Sequence, residues 1–305
     1  MKVLLAGASG TLGRKIVREL RAAGHEVAGL GRGEGSEVRA DLLDREAVLR
    51  AVDGHSFDAV VHAATALQGK RMMRHQDMDV TNALRTEGTA NLIAAARVIG
   101  ARRIVVESMM FGYGYGDHGE RPLMEERDVF GPMQPNAWLE RHVAAVRTKE
   151  ELAFTADGLD GVSLRYGMFY GAGATETSLL PMLRKRSLPV VADQGRALSW
   201  VDVDDAARAL AVAVEHGRAG HAYNIADDTP LGFGSHARAV AAAFGTPTPM
   251  TVPLWLLRTT PLVHSILSTN LRLANGKARA ELGWAPTHTS SAEGLRALAA
   301  KTSPA

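Results

Sequence analysis

Val3-Leu4-Leu5-Ala6-Gly7-Ala8-Ser9-Gly10-Thr11-Leu12-Gly13 is the stretch on which the fold of this chain turns. Its first four residues are a short apolar run, which reads as a buried strand. Beyond the glycines, Leu12, Ile16, Val17 and Leu20 recur at helical spacing. A strand, three glycines and a helix in succession form a phosphate cradle. Gly7 permits the tight turn, Gly10 lets the backbone approach a pyrophosphate, and Gly13 lets helix and strand pack closely. Ser9, Thr11 and Leu12 complete the lining, where the start of the helix offers free N–H groups and a positive dipole end. A second strand over 26–30 makes the motif specific, because the glycines then stand inside a βαβ unit.

The same alternation continues outward. Strands are expected over 3–6, 26–30, 59–62, 103–107 and 161–166, and helices over 11–22, 44–51, 80–99, 138–156 and 204–214. Strands that alternate with helices imply right-handed crossovers and a parallel sheet covered on both faces. The expected fold class is therefore α/β, a doubly wound parallel-sheet Rossmann fold with a small C-terminal substrate lobe. The Rossmann domain is assigned to 1–170, with 196–226 returning to it. The lobe is assigned to 171–195 and 227–301, where turn residues thicken, a short helix is read over 236–244, and an apolar run covers 253–267. Residues 302–305 read as a frayed tail.

Composition sets limits. Of 305 residues, 46% are hydrophobic and 22% charged, ordinary values for a globular protein. A formal net charge of +2 makes no electrostatic case for nucleic acid. The absence of cysteine rules out disulfides, thiolate metal sites and a cysteine nucleophile. The histidines lack paired ligand spacing, so no metal is expected. No apolar run approaches the ~20 residues that span a bilayer, and the start of the chain lacks the pattern of a signal peptide. A cytoplasmic location with no membrane association is the expectation.

Taken together, these segments resemble the extended and atypical short-chain dehydrogenase/reductases, the broad NAD(P)-dependent epimerase/dehydratase group. The resemblance covers nearly the whole chain. It rests on the glycine loop, on Asp41-Leu42, on Val60-Val61-His62-Ala63-Ala64 and on Gly88-Thr89-Ala90-Asn91-Leu92. It continues through Leu164-Arg165-Tyr166-Gly167-Met168-Phe169-Tyr170-Gly171, Trp200-Val201-Asp202-Val203-Asp204-Asp205 and Ala280-Glu281-Leu282-Gly283-Trp284. It implies that Asp41 and Leu42 sit by an adenine, that Ala63 and Ala64 line the cofactor, and that the segment holding Tyr166 passes the nicotinamide. Ser108 falls near the expected catalytic centre. Relatives that prefer NAD carry a carboxylate at the end of the second strand. Leu30-Gly31-Arg32 stands there instead. Arg32 suits a 2′-phosphate, with Arg14 to assist and Glu34 to oppose. The expected cofactor is NADP, with NAD as the alternative.

One part of the family pattern fails. Its chemistry usually uses a Tyr followed four residues later by a Lys on one helix. Tyrosines stand at 113, 115, 166, 170 and 223, and none has Lys four residues on. On the helix over 138–156, the Tyr place falls on His142 or Val143, and the Lys place on Val146 or Arg147. Tyr113-Gly114 puts the family's Ser on Met109, one residue past Ser108. The candidate catalytic residues are therefore Ser108 to polarise an oxygen, and Tyr113 or His142 to move a proton. Tyr115 shares the loop of Tyr113. Asp202, Asp204 and Asp205 read as the start of a helix.

Several methionines, together with Trp255, Leu256 and Leu257, favour an apolar substrate. The expected activity is an NADP(H)-dependent oxidoreductase acting on a carbonyl or alcohol of a small, largely apolar molecule. The alternatives are a nucleotide-sugar epimerase or dehydratase, and a non-catalytic NADP-sensing regulatory protein. The helices over 80–99 and 138–156 match those that pair in dimeric relatives and equally those that flank the sheet of a monomer, so a homodimer stays open.

Overall fold

Strand β1 (Lys2–Ala6) lies at the centre of a seven-stranded parallel sheet, and its last four residues are wholly buried. The coordinates are a computed structural model that describes residues 1–67, 69 and 72–302; the end of the tail expected over 302–305 lies outside the described residues, and Thr302 closes the last helix. On one side of β1 come β2 (Glu26–Gly31) and β3 (Val38–Arg39). On the other come β4 (Ala59–His62), β5 (Arg103–Met109), β6 (Asp160–Tyr166) and, at the far edge, a strand over His221–Ile225. Chain order reverses between β1 and β4. That is the point where a doubly wound sheet opens a crevice above its strand ends.

Helices α1 (Thr11–Ala22), α2 (Arg45–Val52), α3 (Asp79–Ala83), α4 (Thr89–Val98) and α5 (Ala137–Thr155) occupy the first half. The second half adds two small parallel pairs. One joins β7 (Met168–Tyr170) to β9 (Trp200–Asp202), and the other joins β8 (Val190–Val191) to β11 (Thr251–Val252). The far edge strand, His221–Ile225, is β10. The later helices are α6 (Leu179–Arg184), α7 (Val203–His216), α8 (Phe233–Ala243), α9 (Pro261–Leu267), α10 (Gly276–Leu282) and α11 (Ser291–Thr302).

Strand alternation divides the core. Val3, Leu5, Val61, Val105, Val162 and Leu164 face α1 and α7, while Leu4, Val60, Ile104 and Val106 face α2, α4 and α5. A third cluster, around Leu180, Leu183, Val240, Ala241 and Leu295, binds α6, α8 and α11 to one another and to Trp200 of β9.

The single helix expected over 80–99 is instead three pieces. Between α3 and α4 lies a π-helical turn, Leu84–Gly88. Thr86 Oγ1 donates to the Asn82 carbonyl at 3.1 Å and Thr89 Oγ1 to the Arg85 carbonyl at 2.6 Å, so side-chain hydroxyls satisfy carbonyls that the widened turn displaces. β5 runs two residues beyond its expected end, because Ser108 and Met109 keep pairing with Arg165 and Tyr166 of β6.

Candidate active site

The glycine loop has no room for a side chain at its first and third glycines. Gly7 has φ +94°, and a Cβ there would lie 2.7 Å from the Ala63 carbonyl and the Ala64 nitrogen. A Cβ on Gly13 would lie 2.0 Å from the Gly7 carbonyl oxygen. Gly10 precedes α1 in extended conformation, and no side chain caps the helix. Its first N–H groups, at Thr11, Leu12 and Gly13, therefore face the crevice beside exposed Ser9. Ala63 and Ala64 stand opposite, at the end of β4. His62 holds them: its Nε2 donates to the Leu84 carbonyl at 2.9 Å, and its Nδ1 accepts from the Ala64 N–H at 3.3 Å.

At the end of β2, Arg32 is exposed and approaches Asp41 at 3.8 Å. Asp41 Oδ1 accepts from the Leu43 N–H. Leu42 is a buried residue that packs on Gly88, and its carbonyl accepts from Asn91 at 2.9 Å. Tyr166 turns its ring into the core and donates to the Ala206 carbonyl at 3.0 Å, so what this segment offers a ligand is backbone.

The helix that carries the Tyr and Lys places is α5, capped by Asn136, whose side chain accepts from the Trp138 and Leu139 N–H groups. His142 lies among side chains from several elements. Asn82 of α3 donates to its Nδ1 at 3.0 Å, which puts the ring proton on Nε2, 3.0 Å from His75 Nδ1. His75 in turn stacks on Trp138 with ring centroids 5.9 Å apart. Burial, then His75, Arg85 and Arg141, push the His142 pKa down to about 4, so the imidazole is neutral at pH 7. Val143 and Val146 are packed in the interior. Arg147 turns away, donating to the Gly131 carbonyl and to Glu140.

Tyr113 is fixed in the core. Its hydroxyl donates to Asn224 Oδ1 at 3.0 Å and accepts from Arg165 Nη1 at 2.9 Å, and burial pushes its pKa up to about 12. Tyr115, stacked on Phe111 and edge-on to His142, is likewise pushed up to about 12 by burial. Ser108 is 1% exposed, and its hydroxyl has no hydrogen-bond partner among the described residues. Strand alternation places it on the face covered by α4 and α5.

Two charged residues that the sequence analysis did not single out enter this region. Lys149, seven residues beyond His142 on α5, is fully buried, with Nζ 3.1 Å from Glu107 Oε2 and 3.3 Å from the His62 carbonyl. Spacing by two helical turns was the available signal, since it puts Lys149 on the same face as His142. Arg85, within the π turn, is 5% exposed, and its charge is felt at His142, Tyr115, Lys149 and His62.

The three clustered aspartates have ordinary structural work. Asp202 caps α7 through the Asp204 N–H, Asp204 pairs with Lys15 at 2.7 Å, and Asp205 accepts from Thr287. Of the apolar residues expected at the substrate, Trp255 and Leu256 are exposed to solvent.

Comparison with known proteins settles the class. The family model described as "NAD dependent epimerase/dehydratase family" matches residues 3–226. This chain belongs to that family. It is 37% identical to the 3-diazoavenalumate denitrifying reductase of a Streptomyces species, over 97% of this chain and 99% of that protein. It is 30% identical to the 2-alkyl-3-oxoalkanoate reductase of Stenotrophomonas maltophilia, over 81% of this chain and 77% of that one. Among solved structures, Thermus thermophilus UDP-glucose 4-epimerase in complex with NAD superposes with a TM-score of 0.75 at 26% identity, covering 98% of each chain. The chain is thus an enzyme of the NAD(P)-dependent oxidoreductase type, and a nicotinamide cofactor fits the cradle built by Gly7, Gly10 and Gly13. No helix among the described residues is long and apolar enough to cross a membrane.

Proposed function

We propose that this epimerase/dehydratase family member is an NADP(H)-dependent reductase of a small, largely apolar acceptor. The segments 171–195 and 227–301 form the lobe that covers the substrate. The observation that carries this reading is an intact glycine cradle beside a histidine whose two ring nitrogens are already engaged. In the cradle, Gly7, Ser9, Gly10, Thr11, Leu12 and Gly13 would hold the pyrophosphate, and Asp41 and Leu42 would flank the adenine. Ala63, Ala64 and the backbone at Tyr166 would line the nicotinamide half. A bound nicotinamide supplies hydride. Arg32, exposed and only loosely drawn to Asp41, supports NADP over NAD, because its planar cation suits a 2′-phosphate.

The arrangement around His142 bears on the acceptor. Reduction of a ketone needs a proton as well as hydride, and His142 is neutral with both nitrogens committed. A diazo group in its cationic, diazonium form needs only hydride: the incoming pair discharges the cation, dinitrogen leaves, and hydrogen takes its place. The 37% identical relative is named for such a substrate, which supports a diazo acceptor here. Both reductase relatives, moreover, are named for carboxylates. A carbonyl acceptor is the second reading. The unspent hydroxyl of Ser108 supports it, as an oxygen-polarising donor with the proton drawn from Tyr113, His142 or water.

The test is a titration of the purified protein with NADPH and NADH, repeated with Arg32→Ala. It is followed by protein-dependent oxidation of NADPH with an arenediazonium carboxylate or a 3-oxoalkanoate. The reading expects tighter binding of NADPH, loss of that preference in Arg32→Ala, and dinitrogen released mole for mole with NADPH consumed. Ketone turnover that falls away in Ser108→Ala would favour the second reading. Binding of NADPH with turnover of neither acceptor would point to a nicotinamide sensor, and binding of neither nucleotide would overturn the proposal.

A further inference from the structure

Three Lys and Arg side chains are buried among the described residues: Arg85, Lys149 and Arg165. Two of them have a carboxylate. Lys149 meets Glu107 at 3.1 Å, and Arg165 meets Glu150 at 2.7 Å. Arg85 has none. No carboxylate among the described residues lies within ion-pair distance of it, and its guanidinium has no hydrogen-bond acceptor there. A buried cation without a counter-ion is costly, and the cost is relieved when an anion arrives.

The position of Arg85 says where that anion would sit. The π turn sets it between the end of β4 and the inward face of α5: the Leu84 carbonyl just before it accepts from His62 Nε2 at 2.9 Å, Asn82 three residues back reaches His142 at 3.0 Å, and the groups that feel its charge are His62, Lys149, His142 and Tyr115. Every one of these neighbours is neutral or cationic at pH 7. Glu87, two residues on, is exposed, and Glu107 is taken by Lys149.

We propose that Arg85 is the anion site of the substrate pocket, taking the carboxylate of the acceptor in a paired hydrogen-bonding geometry. This rests on the cofactor placement given above. The negative groups of a dinucleotide are its phosphates, and those belong at the α1 N-terminus and the end of β2. The nicotinamide half that reaches past Ala64 carries no anion, and its oxidised ring is itself a cation. The charge that meets Arg85 therefore comes from the second ligand. Arg suits the task, since its planar fork matches a carboxylate with two parallel N–H donors.

Cinnamate and cinnamamide serve as probes, equal in shape and different in charge. Their binding is measured by calorimetry on the protein saturated with NADPH, for wild type, Arg85→Gln and Arg85→Lys. Wild type is expected to bind cinnamate at least tenfold tighter than cinnamamide. Arg85→Gln should lose that preference, Arg85→Lys should retain part of it, and neither should change the NADPH Kd by more than about twofold. Without ligand, Arg85→Gln should melt no lower than wild type, because it removes a charge that nothing balances. Equal affinity of wild type for the two probes, or binding of neither, overturns the proposal and needs no variant. Loss of NADPH affinity in Arg85→Gln in step with cinnamate also overturns it, by assigning the guanidinium to the cofactor. Failure of wild type to bind NADPH overturns the reading of the cofactor site and this inference with it, whereas NADPH binding without carboxylate preference removes this inference alone.

Discussion

Lys149 carries its ammonium where no solvent reaches it. Burial lowers its pKa, and Glu107 acts against that, so the pair is held by geometry rather than by water. Removing one partner of such a pair leaves the other buried and uncompensated, at a cost of roughly 3–5 kcal/mol. Lys149→Met is expected to lower stability by about that much in urea titration. The double variant Lys149→Met with Glu107→Leu should recover a large part of the loss. Additive losses would show that the two charges do not act as a pair. At Gly13 the expectation differs. A Cβ there meets the Gly7 carbonyl at 2.0 Å, so Gly13→Ala must push the loop off the helix. NADPH affinity should fall by at least tenfold in a fluorescence titration, and an unchanged Kd would remove the loop from the cofactor site.

At the scale of elements, α5 depends on its beginning. Asn136 accepts from two N–H groups at the start of the helix that carries His142 and Lys149. Asn136→Ala should cost about 1 kcal/mol, read from thermal melting, with no change in the NADPH Kd. The elements are also where the sequence can be judged as a guide. The sheet strands 3–6, 26–30 and 59–62 and the helix over 11–22 were legible because each is a continuous local pattern, apolar run or helical period. The π turn was not, because a helical period reads straight through Leu84–Gly88 and nothing local marks the displaced carbonyls. β3 is only two residues long and exists by pairing Val38 with Leu30. Arg85 and Lys149 escaped notice for a related reason. A charged residue reads as surface until its surroundings are known, and Glu107 stands forty-two residues from Lys149 in the chain. The three-way contact of His142 with His75 and Asn82 likewise joins residues about sixty positions apart. The glycine loop could be recognised from its sequence, whereas the side-chain cluster around His142 was hidden in tertiary contacts.

For the molecule as a whole, pH acts through a buried acid. Asp227, one residue beyond the Ala226 that follows β10, is 1% exposed. Burial above all, then the nearby Asp205 and Asp202, push its pKa up to about 8. A carboxyl whose pKa is raised by folding stabilises the protein fully below its unfolded value near 4. That stability is lost as pH rises toward the folded value, because the unfolded chain releases the proton first. Asp202, pushed up to about 6 by burial, adds the same sign over the lower part of the window. Below about pH 6.5 the buried, neutral His142, His236 and His62 act with the opposite sign, because the unfolded chain takes up protons that the fold refuses, so the melting temperature should fall from about pH 6.5 to pH 8. Asp227→Asn, neutral at every pH, should flatten that fall and melt higher than wild type at pH 8. A variant whose pH profile parallels wild type would show that Asp227 is not the group responsible.

The strand order has one more consequence, and it concerns synthesis. β6 ends at Tyr166, yet its outer neighbour β10 is not made until residues 221–225. While the ribosome adds the intervening segment, the nascent sheet presents β6 as an open edge of unpaired N–H and C=O groups, on a strand with six of its seven residues buried in the finished protein. Such an edge is a template for pairing with another chain. Translation that stalls or stops before residue 225 thus leaves a self-associating fragment, and the strand that completes the sheet also serves as the chain's last safeguard against aggregation in the cell.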